Sequence, residues 1–255
     1  MIAWRLPLMA GVVFGGLVLL LTLRLIERSV FGLRRPFTPF VTQAVCRAVF
    51  PVMGIRLVRH GTPMRRRGAI VANHCSWLDI FALNALARVC FVSKSEVAGW
   101  PGIGWLARAT GTVFITRNAR DARQQKEVFE ARLRAGHHLA FFPEGTSTDG
   151  RRVLDFKPTL FAAFFTHGLD AILSIQPVSL AYTAPPGEDP RFYGWWGAMD
   201  FGGHLLRVLA QAPQGRVEVT FHPQVPVAET ADRKALARTC EAAVRAGLHA
   251  HLPPV

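Results

Sequence analysis

The longest apolar run of the chain lies at its amino terminus, from Leu6 to Leu23. Its eighteen residues include no charged side chain, and as an α-helix they would extend about 27 Å, close to the thickness of a bilayer's hydrocarbon core. The run is followed by a basic segment from Arg24 to Arg28 and not by the small residues of a signal-peptide cleavage site. The pattern therefore predicts an uncleaved helix that spans or is embedded in the membrane, with the body of the protein on the cytoplasmic side.

A second helix is predicted after the chain breaks at Pro36 and Pro39, starting at Thr38 and ending at Pro51. Its apolar positions recur with helical spacing at Phe40, Val41, Ala44, Val45, Ala48 and Val49. An amphipathic helix of this length is expected to pack on the domain that follows. Residues 1–53 therefore form a predicted membrane-anchoring helical segment, and residues 54–255 a second domain.

Beyond Ile55 the pattern changes to short continuous apolar runs that alternate with helical segments. The predicted strands are Ile55–Val58, Ala69–Ala72, Val89–Ser93, Thr112–Ile115, Leu139–Phe142, Ile172–Leu180 and Val217–Phe221. The predicted helices are Ser76–Arg88, a short helix ending at Gly111, Asn118–Arg134, Pro158–Thr166, Gly202–Ala210 and Ala231–Leu248. Continuous apolar strands that alternate with helices predict an α/β fold with a mainly parallel sheet flanked by helices.

Charge is distributed unevenly along the 255 residues, half of which are apolar and whose formal net charge is +13. Residues 1–72 contain eleven arginines and a single acid, Glu27. Such a segment next to an apolar helix favours anionic membrane lipid as a partner. Nucleic acid is not expected, because no helix-turn-helix, zinc-finger or RNA-binding pattern occurs.

The four cysteines form no Cys-x-x-Cys pair and no metal-ligand frame, which fits a reduced, cytosol-facing protein. Neither His137-His138 nor the terminal His249 and His251 have neighbours with ligand-like spacing. We therefore expect neither a bound metal nor a resident cofactor. A Cys75–His74 nucleophile is disfavoured, because adjacent side chains on a turn rarely point at each other.

Polar residues follow four of the predicted strands at the point where each strand ends: His74, Lys94, Arg117 and Glu144. In a parallel sheet these carboxyl ends share one edge, where ligands bind. The set comprises a base, two cations suited to a phosphate and a carboxylate. Pro143 ends the fourth strand, and Gly145 beside Glu144 would let backbone amides approach a substrate.

His74 and Asp79 can meet only if His74 precedes the helix and Asp79 lies in its first turn. Ser76 as the N-cap residue places Asp79 at the third helical position. A histidine held by a carboxylate is a general base with a fixed tautomer. The alternative is a capping interaction between Ser76 and Asp79 without catalysis.

The chain resembles the glycerolipid acyltransferases, which include the bacterial 1-acylglycerol-3-phosphate acyltransferases. The segment Asn73–Asp79 (NHCSWLD) is similar to their NHx4D block, and Gly111–Arg117 (GTVFITR) to their second block. Phe142–Thr146 (FPEGT) matches the third, and Ile175–Ser179 (IQPVS) resembles the fourth. The four blocks occur in the family's order.

The resemblance implies a glycerol-3-phosphate acyltransferase-like fold and acyl transfer from acyl-CoA or acyl carrier protein to a lysolipid hydroxyl, at the cytoplasmic face of a bacterial-type inner membrane. It implies that His74 takes the hydroxyl proton and Asp79 stabilises the imidazolium. The substrate-binding residues that it implies are Lys94 and Arg117 for the acceptor's phosphate, and Glu144, Gly145 and Thr146 for its position. No acyl-enzyme is implied.

Two positions depart from the family's pattern: Thr116 replaces an Asp, and Ser147 replaces an Arg. Loss of a cation favours an acceptor with less negative charge. With the segment Tyr193–Asp200, these departures resemble members that acylate lyso-ornithine lipid. The expected acceptor is lysophosphatidic acid, yielding phosphatidic acid, with lyso-ornithine lipid as the alternative.

Rival readings have weaker support. Gly145–Asp149 lacks the second glycine of a serine-hydrolase elbow, and Gly102–Ala107 lies too far from its strand for a dinucleotide fingerprint. A non-catalytic membrane protein that binds anionic lipid remains as an alternative of another class.

Overall fold

The computed structural model describes residues 1–116, 122–165 and 170–252, with only the backbone of residues 122–126. Helix α1 (Ile2–Phe31) extends the predicted apolar helix at both ends and is long and apolar enough to cross a membrane. Most of the apolar stretch within this helix is exposed. Its other side packs along helix α2 (Thr38–Met53). Both predicted amino-terminal helices are thus present.

Glu27 connects the two helices. Its carboxylate accepts hydrogen bonds from the backbone N–H of Phe37 at 2.5 Å and of Thr38 at 2.8 Å, and from the Thr38 hydroxyl at 2.7 Å. The first acid of the chain therefore caps the start of α2, where free N–H groups and the helix dipole favour a negative charge.

The buried face of α2 differs from the predicted stripe. Its buried positions are Thr38, Gln43, Cys46, Val49, Phe50 and Met53. Ala44 and Phe40 are exposed, and the Phe40 ring lies 4.3 Å from the Arg88 guanidinium carbon. The helix also continues through Pro51, which lies in its last turn. The stripe was only partly right. Val49 is buried and Val45 packs against the core, but α2 lies between α1 and the next helix, so its contacts follow two neighbours rather than its most apolar line.

An eight-stranded sheet forms the centre of the described structure, in the order β1-β7-β6-β2-β5-β3-β4, with β8 beside β6. The strands are β1 Arg56–His60, β2 Gly68–Ala72, β3 Cys90–Lys94, β4 Val113–Ile115, β5 Leu139–Phe141, β6 Ser174–Thr183, β7 Arg216–Phe221 and β8 Val225–Pro226. All seven predicted strands are confirmed, and β8 was missed. Strands β7 and β8 run antiparallel to β6, and the other pairings are parallel, so the mainly parallel sheet is also confirmed.

The remaining helices are α3 Leu78–Leu86, α4 Ile103–Thr110, α5 Ala122–Arg134, α6 Phe201–Ala210 and α7 Arg233–His251, with 3-10 turns at Ser95–Gly99, Pro158–Phe165 and Val227–Glu229. The predicted helix from Pro158 is therefore a 3-10 segment. The predicted start of the helix at Asn118 lies outside the described residues.

Strand β2 separates two apolar cores. Ile70 and Ala72 face the core beneath α1, α2 and α3. Ala69 and Val71 face the opposite core, which α7 and the 3-10 segment Pro158–Phe165 cover. All five residues of the strand are buried, which is the burial expected of a central parallel strand. The turn after β2 is therefore held between two packed layers.

Candidate active site

His74 and Asp79 lie together at the carboxyl end of β2. The Nδ1 atom of His74 is 2.7 Å from Oδ2 of Asp79. Asp79 lies in the first turn of α3 and is fully buried, whereas 19% of the His74 side chain is exposed. The sequence prediction that the two side chains meet is thus confirmed by the geometry.

The capping of α3 differs from the prediction. The N-cap residue is Trp77 rather than Ser76, and the buried Ser76 hydroxyl has no hydrogen-bond partner in the part of the chain that the structure describes. The Asp79 carboxylate instead accepts the backbone N–H of Ser76 at 2.9 Å and of Cys75 at 2.8 Å. Only one of the two interactions of a capping box is formed, that of the Asp79 side chain with the backbone. The backbone N–H groups of the turn point at the carboxylate that also contacts His74.

Four short hydrogen bonds converge on Asp79. Its Oδ2 atom receives the two backbone N–H groups and His74, and its Oδ1 atom receives the hydroxyl of Tyr182 at 2.8 Å. Because an ionised carboxylate only accepts hydrogen bonds, this arrangement assigns the proton on the His74 ring to Nδ1. Nε2 then carries a free lone pair, as a general base requires.

The His74 ring and backbone are both fixed. The ring stacks on Phe142 with a centroid distance of 4.0 Å and an angle of 8°. The backbone N–H donates to Glu144 Oε1 at 2.8 Å, and the carbonyl accepts the Thr148 N–H at 2.8 Å. The base is therefore preorganised by contacts on three sides.

Glu144 lies behind His74 rather than open to a substrate. Its carboxylate is 2% exposed, and its second oxygen accepts the Leu154 N–H at 2.9 Å. Burial raises the pKa of Glu144 to about 7, and the charge of Asp79 acts in the same direction, although the two N–H bonds oppose the shift. Glu144 therefore holds the turn that carries His74, and the contact with an acceptor that the resemblance implies stays a prediction.

The other residues implied by the resemblance lie around this edge. Gly145 has a φ of 72°, and its N–H donates to the Phe142 carbonyl at 3.0 Å, so a glycine closes this tight turn without strain. Thr146 and Lys94 are exposed, and Lys94 ends β3. Among the described residues, Lys94 forms no hydrogen bond or ion pair with His74. Arg117 lies outside the described residues.

Sequence reasoning missed the residues that tie the catalytic turn to its neighbours. The Asn73 amide exchanges two hydrogen bonds with the backbone of Leu180 in β6, at 2.9 and 2.8 Å. Trp195 donates its backbone N–H to the Cys75 carbonyl at 2.7 Å. Asn73 opens the first motif and could have been found there. Tyr182 lies in an apolar strand where nothing in the pattern separates it from a core residue.

An apolar cavity of about 420 Å³ lies beneath α1, α2, α3 and α4. Trp77 and Phe91 are among its lining residues. The Phe91 ring stacks on Phe142 at 5.8 Å, and Phe142 in turn covers His74. The cavity is thus separated from His74 by the rings of Phe91 and Phe142.

A cluster at the far side of the sheet has ligand types suited to a metal ion. One donor atom from each of His60, Glu218 and His251 lies within 4.8 Å of the others. Sequence spacing pointed to no such partners for His251. Glu218 is also 2.9 Å from Arg216 Nε, so the carboxylate has a cationic partner without an ion. None of these residues takes part in the site around His74.

Comparison with known proteins identifies the family of this chain. A family model described as "Acyltransferase" matches residues 55–181. The chain is 60% identical over 240 residues to the lyso-ornithine lipid O-acyltransferase of Rhodobacter capsulatus, covering 94% of this chain and 87% of the relative. The chain belongs to the acyltransferase family.

Two further members bear on its function and fold. This acyltransferase is 32% identical to the 1-acyl-sn-glycerol-3-phosphate acyltransferase of Neisseria meningitidis, covering 78% of this chain and 77% of the relative. The crystal structure of the 1-acyl-sn-glycerophosphate acyltransferase of Thermotoga maritima matches with a TM-score of 0.66 at 22% identity, covering 94% of this chain and 90% of that one. The second match confirms the predicted fold.

Proposed function

We propose that this acyltransferase moves an acyl chain from a thioester to the free hydroxyl of a lysolipid, with lyso-ornithine lipid as the acceptor. The observation that carries the proposal is the 2.7 Å contact between His74 Nδ1 and the buried carboxylate of Asp79. It leaves the Nε2 atom of a partly exposed imidazole as a base at the carboxyl edge of the sheet.

The proposed reaction has a single chemical stage. His74 Nε2 removes the proton of the acceptor hydroxyl while the hydroxyl oxygen attacks the thioester carbonyl. The carbon–sulfur bond then breaks, and the imidazolium returns the proton to the leaving thiolate. Asp79 stabilises the imidazolium through Nδ1–H during both proton transfers. The products are an acylated lipid and a free thiol, so no acyl-enzyme is needed.

The choice of lyso-ornithine lipid rests on sequence similarity and on charge. The relative bearing that name shares 60% identity, against 32% for the lysophosphatidic acid enzyme. Ser147 stands where the family's pattern has an arginine, and the loss of that cation suits a zwitterionic head group. The backbone of Trp195 donates a hydrogen bond to the turn that carries His74, which supports a contact between the segment around it and that head group.

Lysophosphatidic acid is the second candidate acceptor, because acyltransferases of that substrate are also among the relatives. Arg117 and Lys94 would then bind its phosphate, with Gly145 and Thr146 beside them.

The acyl donor and the membrane location belong to the same proposal. Acyl-CoA or acyl carrier protein would supply the thioester, and no cofactor is required. The exposed apolar surface of α1 supports attachment to an inner membrane with the catalytic domain facing the cytoplasm. The 420 Å³ cavity offers an apolar space for an acyl chain close to His74.

The test is acyl transfer from labelled acyl thioesters by membranes that carry the protein. Lyso-ornithine lipid and lysophosphatidic acid are offered side by side, each with both donors. His74→Ala should abolish product, and His249→Ala, a change of the same type at an exposed position, should not. Product from lysophosphatidic acid alone would overturn the proposal that lyso-ornithine lipid is the acceptor. No His74-dependent product would overturn catalysis and favour the non-catalytic lipid-binding protein.

A further inference from the structure

Five arginines line a cavity of about 720 Å³ on the side of the sheet away from His74. They are Arg24, Arg28, Arg35, Arg108 and Arg132. The cavity lies near the amino-terminal ends of the strands: Arg35 contacts Gly111, which comes just before β4, and Arg132 contacts His137, which comes just before β5. We call this space the arginine cavity. It shares no lining residue with the turn that carries His74 and Asp79.

The positive charge of the arginine cavity has little compensation among the described residues. Glu27, 3.4 Å from Arg24, offsets one of the five positive charges. Burial lowers the pKa of Arg35 to about 10, and the charges of Arg24 and Arg132 contribute to the same shift. Burial and the same three arginines lower the pKa of His137 to about 4. Neighbouring groups therefore sense a strong positive potential.

Two of the guanidinium groups are held in place before any ligand arrives. Arg24 donates to the carbonyls of Arg34 at 2.9 Å and Gly32 at 2.7 Å, and Arg35 donates to Ala109 at 2.7 Å. The Nε atom of Arg35 is buried and has no hydrogen-bond partner among the described residues. Fixed guanidinium groups with unused N–H donors are suited to phosphate, which accepts paired hydrogen bonds from arginine.

We propose that the arginine cavity binds the phosphate group of an anionic membrane lipid. The lipid source follows from the apolar surface beside the arginines. Leu17, Leu21 and Trp105 also line the cavity, and Leu21 is 47%, Trp105 63% and nearby Leu25 74% exposed. A lipid could place its phosphate among the arginines and its chains along exposed α1. This inference does not depend on the identity of the acceptor.

The test uses the full-length protein and flotation with vesicles of neutral phosphatidylcholine, with and without phosphatidylglycerol. The variant Arg28→Gln/Arg108→Gln removes two exposed cations of the cavity. The control Arg233→Gln/Arg238→Gln removes the same charge from exposed positions on α7, which covers the opposite core. Affinity for anionic vesicles should fall about 30-fold in the cavity variant, as expected for two lost cations at such a surface, and much less in the control.

Three outcomes decide the inference. Loss in the cavity variant alone, with transfer to a detergent-dispersed acceptor unchanged, supports it. Equal loss in both variants would reduce the effect to net charge and overturn the site. A third result would assign the cavity to a soluble phosphate instead. In that case CoA or inorganic phosphate would bind in the cavity, and the variant would show a raised KM for acyl-CoA but unchanged vesicle binding. Binding is measured without turnover, so failure of the proposed reaction would not affect the result.

Discussion

Tyr182 donates its hydroxyl hydrogen to Oδ1 of Asp79 at 2.8 Å, from strand β6 to the first turn of α3. Oδ1 faces this phenol while Oδ2 faces His74. The carboxylate is thus clamped from both sides, and its orientation toward the imidazole depends on a strand far away in sequence. Tyr182 is a positioning residue rather than a catalytic one.

Replacing Tyr182 by Phe should lower kcat about tenfold while leaving KM for the acyl thioester nearly unchanged. One hydrogen bond to an ionised group is lost, and such bonds contribute about 1.5–3 kcal/mol. The matched control is Tyr193→Phe, because the Tyr193 hydroxyl contacts Gln214 and Gly215 rather than Asp79. Steady-state kinetics of both purified variants make the comparison. Equal losses would show that the effect is only a general loss of packing.

Asp79→Asn should reduce kcat about a thousandfold, within the range of general acid–base contributions. The amide carries no charge to stabilise the imidazolium. Its NH2 group would also face a hydrogen-bond donor in either orientation, because both oxygens of Asp79 accept hydrogen bonds in the unchanged protein. Asp149→Asn is the control on the same edge. Residual activity of Asp79→Asn near the wild-type level would remove Asp79 from the mechanism.

The positions of seven strands along the chain were predictable because most of them are short apolar runs bounded by turn residues. Strand β2 has all five residues buried, and this burial is visible in the sequence as an uninterrupted apolar segment. Strand β8 has only two residues, Val225 and Pro226, and two residues cannot show a period. The apolar stripe of α2 was only partly right for another reason: α1 is apolar all round, so hydrophobicity did not identify the face of α2 that it covers.

The catalytic pair could be predicted because His74 and Asp79 are five residues apart and joined by one turn. The contacts of Tyr182, Asn73 and Trp195 could not, since each joins elements that are distant in sequence and is satisfied only once the sheet has formed. The hydrogen bonds of Glu144 to two backbone N–H groups could not be predicted for the same reason. They depend on the folded path of the chain, which a motif does not show.

Glu144 should make the protein less stable as the pH rises from about 4.5 to 7. Its pKa is about 7 in the folded state because of burial, above the ordinary value of 4.5. The folded state therefore binds a proton that the unfolded state has lost, and stability falls across this window by up to about 3 kcal/mol. Thermal unfolding at pH 5 and pH 8 measures the difference.

The variant Glu144→Gln should flatten this pH dependence, because the amide does not titrate, although one backbone N–H loses its acceptor. Glu241→Gln is the control. Glu241 also accepts a backbone N–H, that of Phe156 at 2.9 Å, but is only partly buried. A pH dependence that persists unchanged in Glu144→Gln would mean that another group carries it.

Cys75 should be dispensable for the reaction although it adjoins His74. Burial raises the pKa of its thiol well above the usual value, and the charge of Asp79 adds to this shift. The thiol is fully buried, with Sγ 3.8 Å from Oδ1 of Asp79, so it cannot supply the thiolate that a nucleophile requires. Cys75→Ala should keep kcat/KM within a few-fold of wild type and lose about 1 kcal/mol of stability.

Cys240→Ala is the matched control, since Cys240 is equally buried but lies in α7. The direct measurement is incubation of wild-type protein with labelled acyl-CoA and no acceptor, followed by denaturation. No label should remain on the chain, because His74 delivers the acceptor oxygen straight to the thioester. Label retained by wild type and Cys240→Ala but lost in Cys75→Ala would instead establish a cysteine acyl-enzyme, and the 2.7 Å His74–Asp79 pair would then activate a thiol rather than a lipid hydroxyl.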